Sequence, residues 1–473
     1  MNQTKPDSPK KNRNTSEPVD DSLYAKHKKV YPREVHGLFA KLRTTGVLIL
    51  LGLYYGLPWF RWGDRQAVLF DLPNRQFHIF GLTFWPQDFF YFAILLIIAG
   101  IALFFFTALA GRLWCGYACP QTVWTEVFLW IERKVEGTRS QQMKLDKAEL
   151  SAQKLYKKTL KHTIWVLFSA FTGFTFVGYF TAVDVLWLKM IAFNLGPWES
   201  FWIIFYSLAT YGNAGWLREQ VCIYMCPYAR FQSAMFDKDT LVISYDETRG
   251  EPRGSRKKNL DPRELGIGDC IDCSLCVQVC PTGIDIRDGM QYQCIGCAAC
   301  IDVCNEVMDK MSYPKGLVCY TTEHEIQGGK TKLLRPRIVI YASLLSIIFV
   351  ALVVAILNRV PLELDIIRDR NSLFREVRGG LVENVYTLRV VNMSNAKQRY
   401  HLRAEGLQDL QLINRKGDFE VGPGEVYSLN VQVRIDPIVL KRPSNEIFFN
   451  LESLSGEKIT VKESARFLGP VVH

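Results

Sequence analysis

Cys270-Ile271-Asp272-Cys273-Ser274-Leu275-Cys276-Val277-Gln278-Val279-Cys280-Pro281 and Cys294-Ile295-Gly296-Cys297-Ala298-Ala299-Cys300-Ile301-Asp302-Val303-Cys304-Asn305 are two copies of one pattern, C-x2-C-x2-C-x3-C. They take eight of the chain's 13 cysteines. In this spacing a tight loop wraps three thiolates around one 4Fe-4S cubane, and the fourth cysteine is carried by the next turn to the other cluster. The geometry pairs Cys270, Cys273, Cys276 and Cys304 on cluster one, and Cys294, Cys297, Cys300 and Cys280 on cluster two. Pro281 follows the first run as this pattern expects, whereas Asn305 stands in the second proline's place. Structural zinc and a disulfide framework are the competing readings, and the doubled spacing favours neither.

Outward from these runs the composition alternates between apolar stretches and polar segments rich in Lys and Arg. Ile338 to Leu357 is free of charge and, at 1.5 Å per residue, spans the roughly 30 Å hydrocarbon core of a bilayer. Thr44 to Phe60, Phe89 to Ala110, Thr163 to Val183 and Phe201 to Trp216 are four further candidate spans, the last marked by Gly212, Asn213 and Gly215. The polar opening, Met1 to Lys29, has neither the apolar core nor the cleavage site of a signal peptide. Basic residues crowd the N-terminal arm, the loop Gly111 to Lys161 and the segment Leu217 to Arg337, while Asp184 to Ser200 carries Lys189 alone. The positive-inside rule therefore puts the N-terminus and both cysteine runs in the cytoplasm and the C-terminus outside. This asymmetry accounts for the net charge of +10 and points to contact with membrane lipid rather than nucleic acid. A reducing compartment also disfavours disulfides, and the C-terminal segment has no cysteine.

Four other cysteines form an internal repeat, Trp114-Cys115-Gly116-Tyr117-Ala118-Cys119-Pro120 and Val221-Cys222-Ile223-Tyr224-Met225-Cys226-Pro227. Each C-x3-C-P copy follows an apolar span, has tyrosine midway, and places an aromatic residue, Trp124 or Phe231, five positions on. If the motifs are helical, the i,i+4 spacing sets both Cβ atoms about 5–6 Å apart on one face, where two thiolates suit Cu(I). The plainer reading is a pair of small buried residues at the membrane border; the repetition favours a redox or metal role. Cys319 stands alone and reads as structural. His36 and His78 read as hydrogen-bonded or interfacial side chains rather than ligands. Trp124, Phe128, Trp130 and Ile131 read as an amphipathic interfacial helix, and the lysine-rich stretch Gly137 to Lys161 as a charged helical connector.

From Pro361 onward strand alternation takes over: Tyr427, Leu429, Val431 and Val433 face one way, Ser428, Asn430 and Gln432 the other. Several such stretches between turns fit a β-sandwich of immunoglobulin-like size, serving either to dock a partner or to position the spans. The fold class is thus an α-helical membrane protein of about five spans with a cytoplasmic two-cluster ferredoxin-like segment and a C-terminal all-β Ig-like sandwich. The expected division is a disordered cytoplasmic arm, 1–36; a four-span membrane domain with both C-x3-C-P motifs, 37–235; the ferredoxin-like domain, 236–335; a fifth transmembrane helix, 336–358; and a periplasmic Ig-like domain, 359–473.

With the doubled cluster motif, the two C-x3-C-P motifs, Tyr31-Pro32-Arg33 and Gln66 to Gly81 (QAVLFDLPNRQFHIFG), the chain resembles the CcoG/FixG/RdxA family over nearly its whole length. The resemblance implies a polyferredoxin of the bacterial inner membrane that acts in assembly of the cbb-type cytochrome c oxidase, with that oxidase's subunits or assembly factors as partners. It implies cupric reductase activity supplying Cu(I), with electrons from a donor the sequence does not name. Carried over, the eight ferredoxin cysteines become cluster ligands, and Cys115, Cys119, Cys222 and Cys226 become candidate catalytic, copper or redox cysteines. Two other readings use the same residues. A quinol-linked electron-transfer module predicts quinol oxidation without copper dependence. An assembly scaffold with structural clusters predicts assembly even when the clusters cannot change redox state.

Overall fold

The structure, a computed structural model, describes residues 29–63, 65–256, 266–369, 372–394, 396–413, 417–440, 442–455 and 458–470. The polar arm expected at the N-terminus lies outside the described residues up to its last positions. Four helical segments among the described residues are long and apolar enough to cross a bilayer: Leu38–Trp59, Pro86–Ala110, Ala152–Val177 and Pro336–Leu357. They contain helices α1 (Leu38–Gly56), α2 (Phe89–Ala110) and, later in the chain, α6 (Ala152–Val177) and α14 (Pro336–Leu357). Between α2 and α6 lie α3 (Leu113–Tyr117), α4 (Pro120–Glu136) and α5 (Arg139–Lys147). The breaks have local causes. Gly111 ends α2 at a φ of 51°, Pro120 opens α4 where its missing N–H costs nothing, and Gly137 ends α4 at a φ of 94°.

The third span is displaced from Thr163 to Val183. Its helix starts at Ala152, where the Ser151 hydroxyl accepts from the Lys154 amide at 3.2 Å, and stops at Val177 before Gly178. Much of the lysine-rich connector is therefore the first turns of a span. After α7 (Val183–Ile191), Phe201 to Trp216 falls on α8 (Pro197–Thr210) and a π-helical turn, Tyr211–Leu217, that continues it. Widening the helix there releases backbone carbonyls, and side chains take them: Gln121 Nε2 donates to Asn213 O at 2.9 Å and Arg218 Nε to Gly215 O at 2.9 Å. Gly173 lets α6 and α8 meet, since a Cβ there would lie 2.4 Å from Ile203 O. The aromatic stripe on α4 is not wholly interfacial. Phe128 and Ile131 are buried against Trp165 and Ala214, while Trp130 stays exposed.

The segment between the second C-x3-C-P motif and α14 folds as α9 (Pro227–Ala234), α10 (Glu247–Gly250), α11 (Leu275–Val279), α12 (Ala299–Met311) and α13 (Glu323–Ile326). Two antiparallel strands, Val242–Tyr245 and Val318–Thr321, close this unit over a core that includes Ile301, Met308 and Leu317. Cys319 pairs with Ser244 in that ladder. Beyond α14 a five-stranded and a four-stranded sheet pack face to face on Tyr386, Leu388, Val431, Phe449 and Phe467. The strand Val426–Ile435 buries Leu429, Val431 and Val433 on the predicted face.

At one end of the helices the loop between α1 and α2 forms a small three-stranded sheet that meets the sandwich. Trp85 Nε1 donates to Met393 O at 3.2 Å, and Arg359 Nε donates to Asp88 Oδ1 at 3.0 Å. His78 is buried in that sheet, its Nδ1 3.1 Å from Thr83 Oγ1. At the other end the ferredoxin-like unit caps the bundle. Asp302 of α12 accepts from the Ala40 amide at 2.7 Å and the Phe39 amide at 3.2 Å, serving as an N-terminal cap for α1 from another unit.

Candidate metal centres

The two C-x2-C-x2-C-x3-C loops share one backbone plan. In the first, Asp272 and Ser274 flank Cys273 with φ of 53° each; in the second, Gly296 and Ala298 flank Cys297 at 69° and 58°. Left-handed residues on either side of a cysteine turn successive amides inward and make the concave N–H surface that anions occupy. Arg287 fixes the first loop, donating to Asp272 Oδ1 at 2.6 Å and to Asp285 Oδ2 at 2.6 Å.

Cys270, Cys273, Cys276 and Cys304 line one cavity, with Tyr245, Leu275, Val307 and Met308 among its walls. The charges of Cys276, Cys270 and Cys273 bear on Cys304, and those of Cys297, Cys294 and Cys280 lead on Cys300. Two crosswise sets of four thiols result, each closed by a cysteine from the other run. Burial pushes the Cys304 and Cys297 thiols up to about 12, so a strongly cationic core is needed to hold them as thiolates. Four thiols in an apolar cage over inward-turned amides suit an iron–sulfur cluster, which supplies one-electron transfer when bound.

The C-x3-C-P motifs are not continuous helices. Cys115 lies in α3, the chain unwinds at Ala118, and Cys119 is extended (φ −62°, ψ 128°) at the start of α4. Cys222 lies in a second π-helical turn, Val221–Met225, and Cys226 is extended (φ −79°, ψ 110°) before α9. The proline after each second cysteine starts the next helix, so the i,i+4 face expected from the spacing does not form. The repeat instead brings all four thiols together: each of the six pairs among Cys115, Cys119, Cys222 and Cys226 interacts electrostatically. Cys115 Sγ donates to the buried Gln232 Oε1 at 3.3 Å.

This third group sits on the second ferredoxin loop. Cys115 and Cys222 pack against the buried cluster of Val279, Ile295, Cys297, Ala299 and Val303. Gly116 permits the approach, because a Cβ there would be 2.7 Å from Gly296 O. Arg112 Nη1 donates to Cys294 O at 3.0 Å and its Nη2 to Ala229 O at 2.8 Å, and Arg43 Nη1 donates to Cys297 O at 3.1 Å. Arg43, Arg112, Asp302 and Gln232 were not read from the sequence as site residues. The available signal was a basic residue shortly before each C-x3-C-P motif, Arg112 and Arg218. A cavity of about 840 Å³ between α1 and α4 reaches both Cys222 and Cys297, and His36 lines it.

Known proteins resemble this chain along most of its length. Residues 217–323 match a family described as a 4Fe-4S dicluster domain, residues 92–137 a 4Fe-4S binding domain, and residues 352–470 the Ig-like fold at the C-terminus of FixG. The chain is 41% identical to protein RdxA of Cereibacter sphaeroides, over 83% of this chain and 86% of that one. It is 39% identical to the nitrogen fixation protein FixG of Rhizobium meliloti, over 82% and 81%. A solved FixG-related protein from Vibrio parahaemolyticus is 37% identical over 23% of this chain and 97% of that one, with a TM-score of 0.22.

Proposed function

Because the chain belongs to the family of RdxA, RdxB and FixG, we propose that it is a membrane-bound iron–sulfur protein that reduces Cu(II) to Cu(I) for assembly of a cbb-type cytochrome c oxidase. The observation that carries this reading is the seating of the C-x3-C-P cysteines on the second ferredoxin loop through Gly116. The eight ferredoxin cysteines hold the clusters in two crosswise sets, and Cys115, Cys119, Cys222 and Cys226 form the site from which the electron leaves. Reduction of Cu(II) takes one electron, which matches what a cluster delivers, and soft thiol ligands favour the Cu(I) product. The cavity beside Cys222 is a route for the ion. In this reading the ferredoxin-like unit is cytoplasmic, five spans cross the inner membrane, and the sandwich faces the periplasm to dock oxidase subunits or assembly factors.

One observation favours the quinol-linked alternative: the same cavity has Leu48, Leu51 and Trp130 in its walls together with Cys297, which suits an amphipathic donor. Anaerobic Cu(II) reduction by cluster-loaded protein, compared with a variant carrying serine at positions 115, 119, 222 and 226, separates the two. Loss of copper reduction in the variant alone supports the proposal. Equal rates remove the site assignment, and quinol oxidation without copper reduction in the unaltered protein favours the alternative.

A further inference from the structure

We propose that Cys115, Cys119, Cys222 and Cys226 together hold a third 4Fe-4S cluster at the membrane border, so that the chain carries three clusters in a row. Both copies of the C-x3-C-P repeat are needed to build it, each giving two thiolates.

Three observations meet here. The first is closure of the set. All six pairs among these four cysteines interact, and the same is true of Cys280, Cys294, Cys297 and Cys300, the ferredoxin set beside them. In both cases the fold brings four thiols from four chain positions into mutual electrostatic range. The second is spacing. Among the described residues no three His, Cys, Asp or Glu side chains gather tightly enough to hold a single metal ion, and that applies to the ferredoxin sets as much as to this one. The four thiolates of a cubane bind four different irons, so they stand further apart than the ligands of one zinc or copper ion. The third is independent of geometry. The stretch 92–137 matches a 4Fe-4S binding family, yet its cysteines are Cys115 and Cys119 alone. A cubane needs two more, and the fold delivers Cys222 and Cys226.

The surroundings suit an anionic cluster. Cys119 and Cys226 each precede the proline that opens a helix, as Cys280 precedes Pro281, and the helix-start amides of Gln121 and Thr122 point at Cys119. The Arg112 guanidinium favours negative charge on both Cys115 and Cys222. With Cys115 and Cys222 against the walls of the second ferredoxin loop, one electron can pass from that loop to this site without crossing solvent. The inference goes beyond the copper reading and does not rest on it: copper becomes a substrate that accepts an electron at this site rather than an ion held among four thiolates.

The test is iron and acid-labile sulfide per chain, with Mössbauer spectra, on the full-length protein purified and reconstituted without oxygen. About twelve irons, all in cubane-type spectra, are expected, falling to about eight in Cys115→Ser/Cys222→Ser and in the four-serine variant. To separate loss of the cluster from loss of the fold, the two ferredoxin clusters' own electron paramagnetic resonance signals must persist in both variants. About eight irons in the unaltered protein overturns the proposal, as does a count near ten with a two-iron spectrum, or copper retained by these cysteines beside eight irons. A count of eight would leave Cu(II) reduction measurable, so the two readings fail separately.

Discussion

Gly116 and Gly296 meet backbone to backbone: a Cβ built on Gly116 would stand 2.7 Å from the Gly296 carbonyl oxygen and 3.1 Å from Cys297 Cα. That carbonyl also accepts from the Tyr320 hydroxyl at 2.8 Å, so it cannot easily swing away. Gly116→Ala should cost about 1–3 kcal/mol by overpacking. It should lower the melting temperature and slow electron arrival at the C-x3-C-P site while the ferredoxin clusters stay loaded. Stopped-flow reduction followed at the cluster absorbance checks this; an unchanged rate would mean the contact does not position the relay.

Cys304 stands with Cys270, Cys273 and Cys276, not with its own run. Cys304→Ser should therefore disturb the cluster of the first loop and leave that of the second, and Cys280→Ser should do the reverse. Redox titration monitored by electron paramagnetic resonance distinguishes the two signals. If each serine perturbed the cluster of its own run, the crosswise grouping would be wrong.

What was legible in the sequence depended on how local the signal is. The cysteine spacing, the charge-free run before Leu357 and the alternation through Leu429, Val431 and Val433 each state a structure within a few residues, and the fold carries all three. The boundary of the third span was misplaced because Lys154, Lys157, Lys158 and Lys161 look like solvated residues. In the fold Lys161 is buried in an ion-pair network, and Ser151 caps a helix that starts earlier. The helical reading of the C-x3-C-P motifs failed at Cys119 and Cys226, where the following proline biases the preceding residue away from helix. No periodicity could show Arg43, Arg112, Asp302 or Gln232 at the site, because each acts on a segment far away in sequence.

Glu132 is almost fully buried on α4 and binds three cations: Arg218 Nη2 at 2.9 Å, Lys161 Nζ at 3.3 Å and Lys29 Nζ at 3.3 Å. Burial alone would raise its carboxyl, but Arg218, Lys29 and Lys161 outweigh that and hold it down to about 2. The unfolded chain has the ordinary value of 4.5, so this carboxylate stabilises the fold above about pH 4.5 and the contribution disappears as the pH falls through about 2. Glu132→Gln leaves Arg218 and Lys161 short of their shared counter-charge and should cost about 3–5 kcal/mol at neutral pH. Helix content by circular dichroism in detergent, followed from pH 7 to 2, should show a shallower acid slope in the variant. Parallel slopes would show that other groups set the acid transition.

The sandwich and the loop between α1 and α2 must share one side of the membrane, because Trp85 is clasped by Met393 and Gly424 and Asp88 by Arg359. A Cβ on Gly424 would fall 1.7 Å from the Trp85 ring, so the two surfaces are moulded together. The opposite end is tied just as firmly, with Asp302 capping α1 and Lys29 bound to Asp146 at 3.0 Å. We propose from the positive-inside bias that the second end is cytoplasmic. Spheroplasts treated with a membrane-impermeant maleimide should label Lys462→Cys at once and Glu149→Cys only after permeabilisation. The unaltered chain supplies its own control, since no cysteine follows Cys319 and intact cells should show no signal. Labelling of Glu149→Cys in intact spheroplasts with Lys462→Cys protected would invert the topology. Copper would then be reduced on the outer face and the sandwich would meet its partners in the cytoplasm.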